Sequence, residues 1–248
     1  MARKHNRRDV KNALESLPKE LDDAYDELVK RILSQNLEDV NLAKQVLTWV
    51  TNAKRALTAA ELQHALTITP NSLGIDDEAL TEVDHLIAVC AGMMTFDRES
   101  GAIGLVHHTA QQYLERIQNH QFQGAETCIA MACLTYLGFP VFDGPDLPYE
   151  AVKEEVQKYE FGDYAARYWA DHVRGVLETE LQDTILSTFL SEGRRRRVIQ
   201  IVDSFGSGWE SRPLLHFFAR HGLDTICKAL LDGVNPIVAG YPQFLIVC

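Results

Sequence analysis

The sequence contains one pattern typical of a β-hairpin, and its apolar residues otherwise have the spacing of amphipathic helices. Two short apolar segments, residues 93–96 and 103–106, flank the polar sequence DRESGA, in which Gly101 can adopt the positive φ of a tight connection. Elsewhere apolar residues recur every three or four positions, which is the period of an amphipathic helix. The chain can therefore form little sheet, and we predict a mainly α protein with one small β-hairpin.

Three helices are predicted before the loop that contains Pro70. The first carries Tyr25 on its apolar face, and the second ends near Asn52. The third, over about residues 59–67, has a complete start signal. Thr58 and Glu61 have the spacing of a capping box, in which a hydroxyl and a carboxylate each bind a backbone amide of the first turn.

A fourth helix is expected to begin near Asp77 and to bury Leu86 and Cys90. After the hairpin, Thr109 and Gln112 have the spacing of a second capping box, which would open a fifth helix. From the second helix onward the order is helix, helix, helix, hairpin, helix. This order is typical of a winged helix with an additional helix.

The rest of the chain has only helical patterns, and its last part has the layout of one ankyrin unit. The segment RPLLHFFARHGLDTICKALLDGVNP reads as a turn, a short helix, a bend at Gly222, a second helix and an end at Gly233. A single ankyrin unit of about 33 residues is not stable alone, because its apolar face needs a neighbour. We expect it to pack backward onto the preceding helices.

Charge and cysteine content narrow the classes of function. The formal net charge is -11, from 24 Lys and Arg against 35 Asp and Glu, so the chain repels nucleic acids and anionic membranes over long range. The five cysteines include no C-x-x-C pair, which argues against a disulfide framework or a zinc site. The N-terminus lacks the apolar core of a signal peptide, and no stretch has the ~20 apolar residues of a membrane span. We expect a cytoplasmic protein that binds no metal.

The sequence CAGMMTFDRESGAIGLVHHTAQQYL resembles the end of the winged-helix domain that follows the NACHT domain in fungal ankyrin-containing (STAND-type, NLR-like) proteins, often labelled after GPI inositol-deacylase. ALESLPKELDDAYDELVKRIL is similar to the last helices of a NACHT helical subdomain. FGDYAARYWADHV and RPLLHFFARHGL are similar to the helical spacer and the first ankyrin repeat. The resemblance implies four segments: NACHT-like helices (1–38), a winged helix (39–118), a helical spacer (119–205), and a partial ankyrin repeat with a tail (206–248).

The resemblance also implies one candidate site residue. In complete relatives, a histidine just after the wing contacts the β-phosphate of bound ADP, and by its position in LVHHT this residue is His107. The alternative is a histidine that hydrogen-bonds the local backbone, with His108 as a partly buried neighbour. No G-x-x-x-x-G-K-[ST] motif occurs in the sequence, so we expect no cofactor and no nucleotide hydrolysis by this chain itself. His107 could sense nucleotide only beside a nucleotide-binding domain.

Nucleic-acid binding is the alternative function, since winged helices often bind DNA. The candidate recognition segment DDEALTEVDHLIAVC has five carboxylates and no Lys or Arg, which opposes contact with phosphates. The four arginines at residues 194–197 are the exception. We interpret them as a solvated helix end or loop.

Enzymatic activity has little support in the sequence. No G-x-S-x-G or H-E-x-x-H motif occurs, and Cys90, on an apolar helix face, is expected to be an inert core thiol rather than a nucleophile. A lipase-related activity rests only on the label of the domain. We therefore predict a non-catalytic regulatory module that binds a protein partner or a nucleotide-binding domain in cis or in trans, with Tyr25, Leu86 and Phe217 in its core.

Overall fold

Helices make up most of the described chain, and its strands are short. The computed structural model describes residues 21–121, 124–202 and 214–232. Its strands are β1 (Leu57–Thr58), β2 (Met94–Phe96) and β3 (Ala102–Leu105). Its helices are α1 (described over 21–33), α2 (Leu37–Asn52), α3 (Ala59–Thr67), α4 (Val83–Val89), α5 (His108–Gln121), α6 (Ala125–Leu137), α7 (Tyr149–Lys158), α8 (Gly162–Val173), α9 (Val176–Glu180), α10 (Gln182–Phe189), α11 (Glu192–Val202), α12 (Leu214–Arg220) and α13 (Asp224–Leu231). The prediction of a mainly α chain with one small hairpin is confirmed.

The described residues form two compact units. Those within Met1–Ala56 and Thr81–Gln123 form the first, and those within Leu57–Leu80 and Gly124–Cys248 form the second. The chain thus leaves the first unit and returns to it. The predicted boundary of a winged-helix domain at 39–118 is not tested by this division and stays a prediction.

In the first unit, α2 packs against α4, α5 and the β2–β3 hairpin. The hairpin is antiparallel and pairs Met94 with Leu105 and Phe96 with Ile103. Gly101 has φ +70°, as expected for the turn. Apolar side chains from all these elements are buried, and they include Val46, Leu47, Leu86, Met93, Ile103 and Leu114.

The start and end signals of the early helices were predicted well. Helix α2 ends at Asn52, and α3 spans Ala59–Thr67. In the capping box, Thr58 Oγ1 accepts a hydrogen bond from the Glu61 amide and the Glu61 carboxylate accepts one from the Thr58 amide. The side chains of Thr58 and Glu61 therefore each bind a backbone amide that has no acceptor within the helix.

The prediction of one helix beginning near Asp77 is wrong. A 3-10 helix, Asp77–Ala79, is followed by extended backbone at Leu80 and Glu82, and α4 begins only at Val83. The carboxylate of Asp76 accepts a hydrogen bond from the Glu78 amide and so opens the 3-10 turn. The continuous apolar spacing of the sequence does not reveal this break. Leu86 and Cys90 are nonetheless buried, as expected.

The second unit is organised around the contact of α6 with α8. Aromatic side chains fill its centre, where the ring of Trp169 stacks on that of Phe217 with centroids 5.9 Å apart. Phe217 lies on α12, so the α12–α13 pair packs backward onto earlier helices, as predicted. Gly222 lies at the bend of this pair with φ +68°. The ankyrin assignment stays a prediction, and Gly233 and the tail lie outside the described residues.

Among the described residues, no helix is both long enough and apolar enough to cross a membrane.

Candidate functional site

His107 lies in the short connection between β3 and α5. The backbone carbonyl of His107 accepts a hydrogen bond from the Ala110 amide at 3.0 Å. The imidazole Nδ1 accepts one from the Thr109 amide at 3.2 Å. The side chain of His107 therefore binds an open amide in the first turn of α5, as a capping residue does.

The second capping box, predicted from Thr109 and Gln112, is wrong. Helix α5 begins at His108, so Thr109 lies inside the helix and does not precede it. The Thr109 hydroxyl lies 2.8 Å from His107 Nδ1 and 2.7 Å from the Tyr25 hydroxyl. The sequence spacing is that of a capping box, but the Thr109 hydroxyl contacts Tyr25 and His107, which lie outside α5.

The hydrogen bonds around His107 define its tautomer. Because Nδ1 accepts from the Thr109 amide, it carries no proton, and in a neutral imidazole the proton is then on Nε2. The His107 side chain is exposed. His107 thus has an Nε2–H donor on an exposed ring. The Thr109 amide holds this ring through Nδ1.

His108 is exposed as well, which corrects the expectation of a partly buried neighbour. The buried face of α5 includes Ala110, Tyr113 and Leu114, and at 100° per residue His108 lies on the opposite side. Its ring centroid is 4.2 Å from that of His107. Two histidine rings are therefore exposed at this end of α5, and that of His107 is bonded to the helix start.

Three side-chain pairs connect α1 to α5. Tyr25 binds Thr109, Tyr113 donates a hydrogen bond to Asp26 Oδ1 at 2.5 Å, and Arg116 pairs with Asp22. Burial and the nearby carboxylate of Asp26 raise the pKa of Tyr113, so its hydroxyl remains a donor at neutral pH. The capping histidine is thus linked through Thr109 to a helix more than 80 residues earlier in the chain.

The four arginines at 194–197 lie in the first turns of α11, so the helix-end form of the interpretation holds, but the expectation that all four are solvated is wrong. Arg195 and Arg197 are buried. Arg195 donates to the carbonyls of Phe189 and Leu190 at 2.5 and 2.9 Å, which closes the C-terminal end of α10. Burial lowers the pKa of Arg195. The guanidinium groups of Arg195 and Arg197 are therefore part of the interior of the second unit.

The partners of Arg197 and Arg196 differ in exposure. Arg197 forms a buried ion pair with Glu155 and donates to the carbonyl of Pro145 at 3.0 Å. Arg196 pairs with Glu192, and both of those side chains are more than one third exposed. The guanidinium groups of Arg196 and Arg197 thus already bind acidic side chains and a carbonyl, whereas binding of nucleic acid would require them to contact phosphates.

Cys90 is fully buried, and burial raises the pKa of its thiol to about 12. At neutral pH it is therefore a protonated core thiol, as expected for a residue without a nucleophilic role. Among the described residues, no group of three His, Cys, Asp or Glu side chains could hold a metal ion.

One polar cluster in the second unit has no counterpart in the sequence analysis. The buried His172 contacts Glu126 Oε2 through Nδ1 at 2.6 Å and the Tyr164 hydroxyl through Nε2 at 2.8 Å. Tyr164 and His172 are two helical turns apart on α8, a spacing that could have drawn notice. Glu126 lies on α6, and no local pattern indicates that it completes the cluster.

Comparisons with known proteins identify the part of the chain around His107. Residues 29–123 match the family described as GPI inositol-deacylase, winged helix domain. The azaphilone pigments biosynthesis cluster protein L of Monascus ruber is 32% identical over 189 residues, which are 69% of this chain and 38% of that protein. The chain thus spans well under half the length of this relative. No solved structure matches the chain. Residues 29–123 are thus similar to a winged-helix domain of the GPI inositol-deacylase type, within a mostly helical structure.

Proposed function

We propose that this chain is a non-catalytic regulatory module of a NACHT-ankyrin-type signalling protein. In this proposal the winged helix docks on a nucleotide-binding domain, in cis or in trans, and the helices of the second unit bind a protein partner. The match of residues 29–123 to the winged-helix family supports the first half of the proposal. The cysteine pattern of the sequence suits a reducing compartment, and we place the module in the cytoplasm.

The exposed donor of His107 is the observation that carries the proposal. Its Nδ1 accepts from the Thr109 amide, so Nε2–H is the nitrogen left to meet a ligand. A hydrogen bond from an imidazole to a phosphate oxygen is charge-assisted, and such bonds contribute about 1.5–3 kcal/mol. One such bond, made with ADP but not with ATP, would favour one state of a two-state switch.

The remaining nucleotide contacts must come from the partner domain. The sequence has no P-loop motif, so it lacks the lysine and the amide-lined loop that hold phosphates in NACHT-type enzymes. We therefore assign this chain the sensing contact alone, and bond cleavage to the partner.

The test is a titration of the purified chain with a NACHT-type nucleotide-binding domain preloaded with ADP or with ATP, followed by calorimetry. We expect binding to the ADP form. We expect His107→Ala to weaken it by about 10- to 100-fold, since each 1.4 kcal/mol is a factor of ten in Kd. His108→Ala is the matched control, because His108 is equally exposed one residue away, and it should keep the affinity within about twofold.

Two results would refute this function. One is equal binding by the two histidine variants. The other is a rise in the melting temperature of the chain alone with millimolar Mg-ADP, because only a ligand bound by the folded chain itself raises its stability. The second result would make this chain a nucleotide-binding protein in its own right.

A further inference from the structure

The hydroxyls of Tyr25 and Thr109 form a continuous chain of hydrogen bonds that ends on His107. Tyr25 Oη lies 2.7 Å from Thr109 Oγ1, and Thr109 Oγ1 lies 2.8 Å from His107 Nδ1. Both distances suit O–H donors. Tyr25 is buried, so its hydroxyl has few alternative partners in water.

The direction of each bond in this chain follows from the backbone. The Thr109 amide donates to His107 Nδ1, so that nitrogen is an acceptor. The Thr109 hydroxyl, close to the same nitrogen, can only donate to it, so the amide and the hydroxyl share the one lone pair of Nδ1, and the hydroxyl oxygen accepts from Tyr25. A proton on Nδ1 would reverse both hydroxyls and remove the acceptor of the Thr109 amide.

We propose that Tyr25 and Thr109 are positioning residues for His107, and that the docking of α1 on α5 holds the imidazole in the tautomer that presents Nε2–H to a phosphate ligand. The assignment of the phosphate rests on the proposed function, whereas the control of the tautomer does not. When α1 leaves α5, the Thr109 hydroxyl loses its Tyr25 donor and is no longer held with its proton on His107 Nδ1, so the longer bond from the Thr109 amide is the contact that still orients the ring.

The contacts between α1 and α5 are partly exposed and partly buried. The polar pairs run antiparallel, from Asp22 with Arg116 to Tyr25 with Thr109, and the ring of Tyr25 also packs against that of Tyr113 with centroids 5.2 Å apart. The Asp22–Arg116 pair is exposed, so water can replace it at small cost. Tyr25 also precedes the residues that match the winged-helix family, 29–123, so the chain of hydroxyls connects that domain to a segment outside it.

The experiment is long-range ¹H–¹⁵N NMR of the imidazole nitrogens in the uniformly labelled chain, above the pH at which histidines are protonated. His107→Gln assigns the signals of His107. In the wild type we expect one tautomer, with Nδ1 at the position of an unprotonated nitrogen. Thr109→Val removes the hydroxyl at nearly constant volume, and Tyr25→Phe removes the first donor but keeps the ring on Tyr113.

The 3.2 Å bond from the Thr109 amide remains in both variants, so they should move His107 Nδ1 and Nε2 part of the way toward the averaged positions of two exchanging tautomers, whereas Thr109→Ser should restore the wild-type spectrum. Tyr113→Phe is the matched control. It removes the α1–α5 hydrogen bond to Asp26 but leaves the hydroxyl chain intact, so it should lower the melting temperature without moving the His107 signals.

The proposal is overturned if Thr109→Val and Tyr25→Phe leave both nitrogens of His107 unmoved, or if Tyr113→Phe moves them as far. It is also overturned if the wild-type signals already average. The measurement contains no nucleotide, so it can succeed where the binding test of the proposed function fails, and the two failures are distinguishable.

Discussion

Arg197→Ala should be among the most destabilising single changes on α11, although it removes one member of a run of four identical residues. The side chains of Arg197 and Glu155 are 3% and 10% exposed. Truncation of Arg197 leaves the Glu155 carboxylate buried without its cation, and it also leaves the Pro145 carbonyl without a donor. Breaking a buried pair on one side costs about 3–5 kcal/mol.

Arg196→Ala supplies the matched control, because the helix, the residue type and the truncation are the same. Its partner Glu192 is exposed to water, and an exposed pair contributes about 0–1 kcal/mol. Equilibrium unfolding in urea, followed by far-UV circular dichroism, measures both. With a slope of about 2 kcal/mol/M, we expect the midpoint to fall by about 1.5–2.5 M for Arg197→Ala and by less than about 0.5 M for Arg196→Ala.

A third variant separates charge from packing. Arg197→Met combined with Glu155→Leu removes both charges and keeps much of the volume, and such replacements are often neutral or stabilising. We expect the double variant to regain more than half of the lost midpoint. The reasoning is refuted if the two arginine variants have equal midpoints, or if the double variant is no more stable than Arg197→Ala.

Two further predictions concern the second unit. Burial is the main cause that lowers the pKa of His64, with Asp77 acting in the opposite direction. The unfolded chain therefore takes up the proton first, and the free energy of unfolding should fall as the pH drops below about 6.5. His64→Gln should flatten urea midpoints measured from pH 7 to 5.5, and an unchanged slope would contradict this cause. Phe217→Ala should cost about 3–5 kcal/mol in urea unfolding, because a buried ring leaves a cavity; a loss below about 1 kcal/mol would contradict its place in the core.

Local signals in the sequence predicted local structure well. The capping box of Thr58 and Glu61 sets the start of α3, and the glycine of DRESGA sets the turn of the hairpin, because each motif contains all the groups that it satisfies. The break before α4 was missed, since it depends on an aspartate turn inside a segment with helical spacing. The spacing of Thr109 and Gln112, which is equally local, did not predict a cap, because helix α5 begins one residue earlier.

The polar contacts between distant residues could not be predicted in this way. Thr109 has the spacing of a cap, yet its hydroxyl binds Tyr25, which is 84 residues away. The arginine run looks solvated because four charges are costly to bury, and the compensating Glu155 and the open carbonyls at the end of α10 are visible only in the fold. The candidate residue His107 came from resemblance, whereas its tautomer came from the geometry.

The chain leaves the first compact unit after Ala56 and returns to it at Thr81, and this limits how the protein can be divided into fragments. A fragment cut to the winged-helix match, 29–123, keeps α3 but ends before α6. In the intact chain, His64 on α3 is buried and bonded to the Tyr136 hydroxyl on α6 at 3.0 Å. In the fragment this face of α3 would meet water, and its apolar neighbours would favour self-association. The residues that match the family model are therefore not the residues of an independently stable fragment. A fragment that keeps α3 buried has to extend beyond α6.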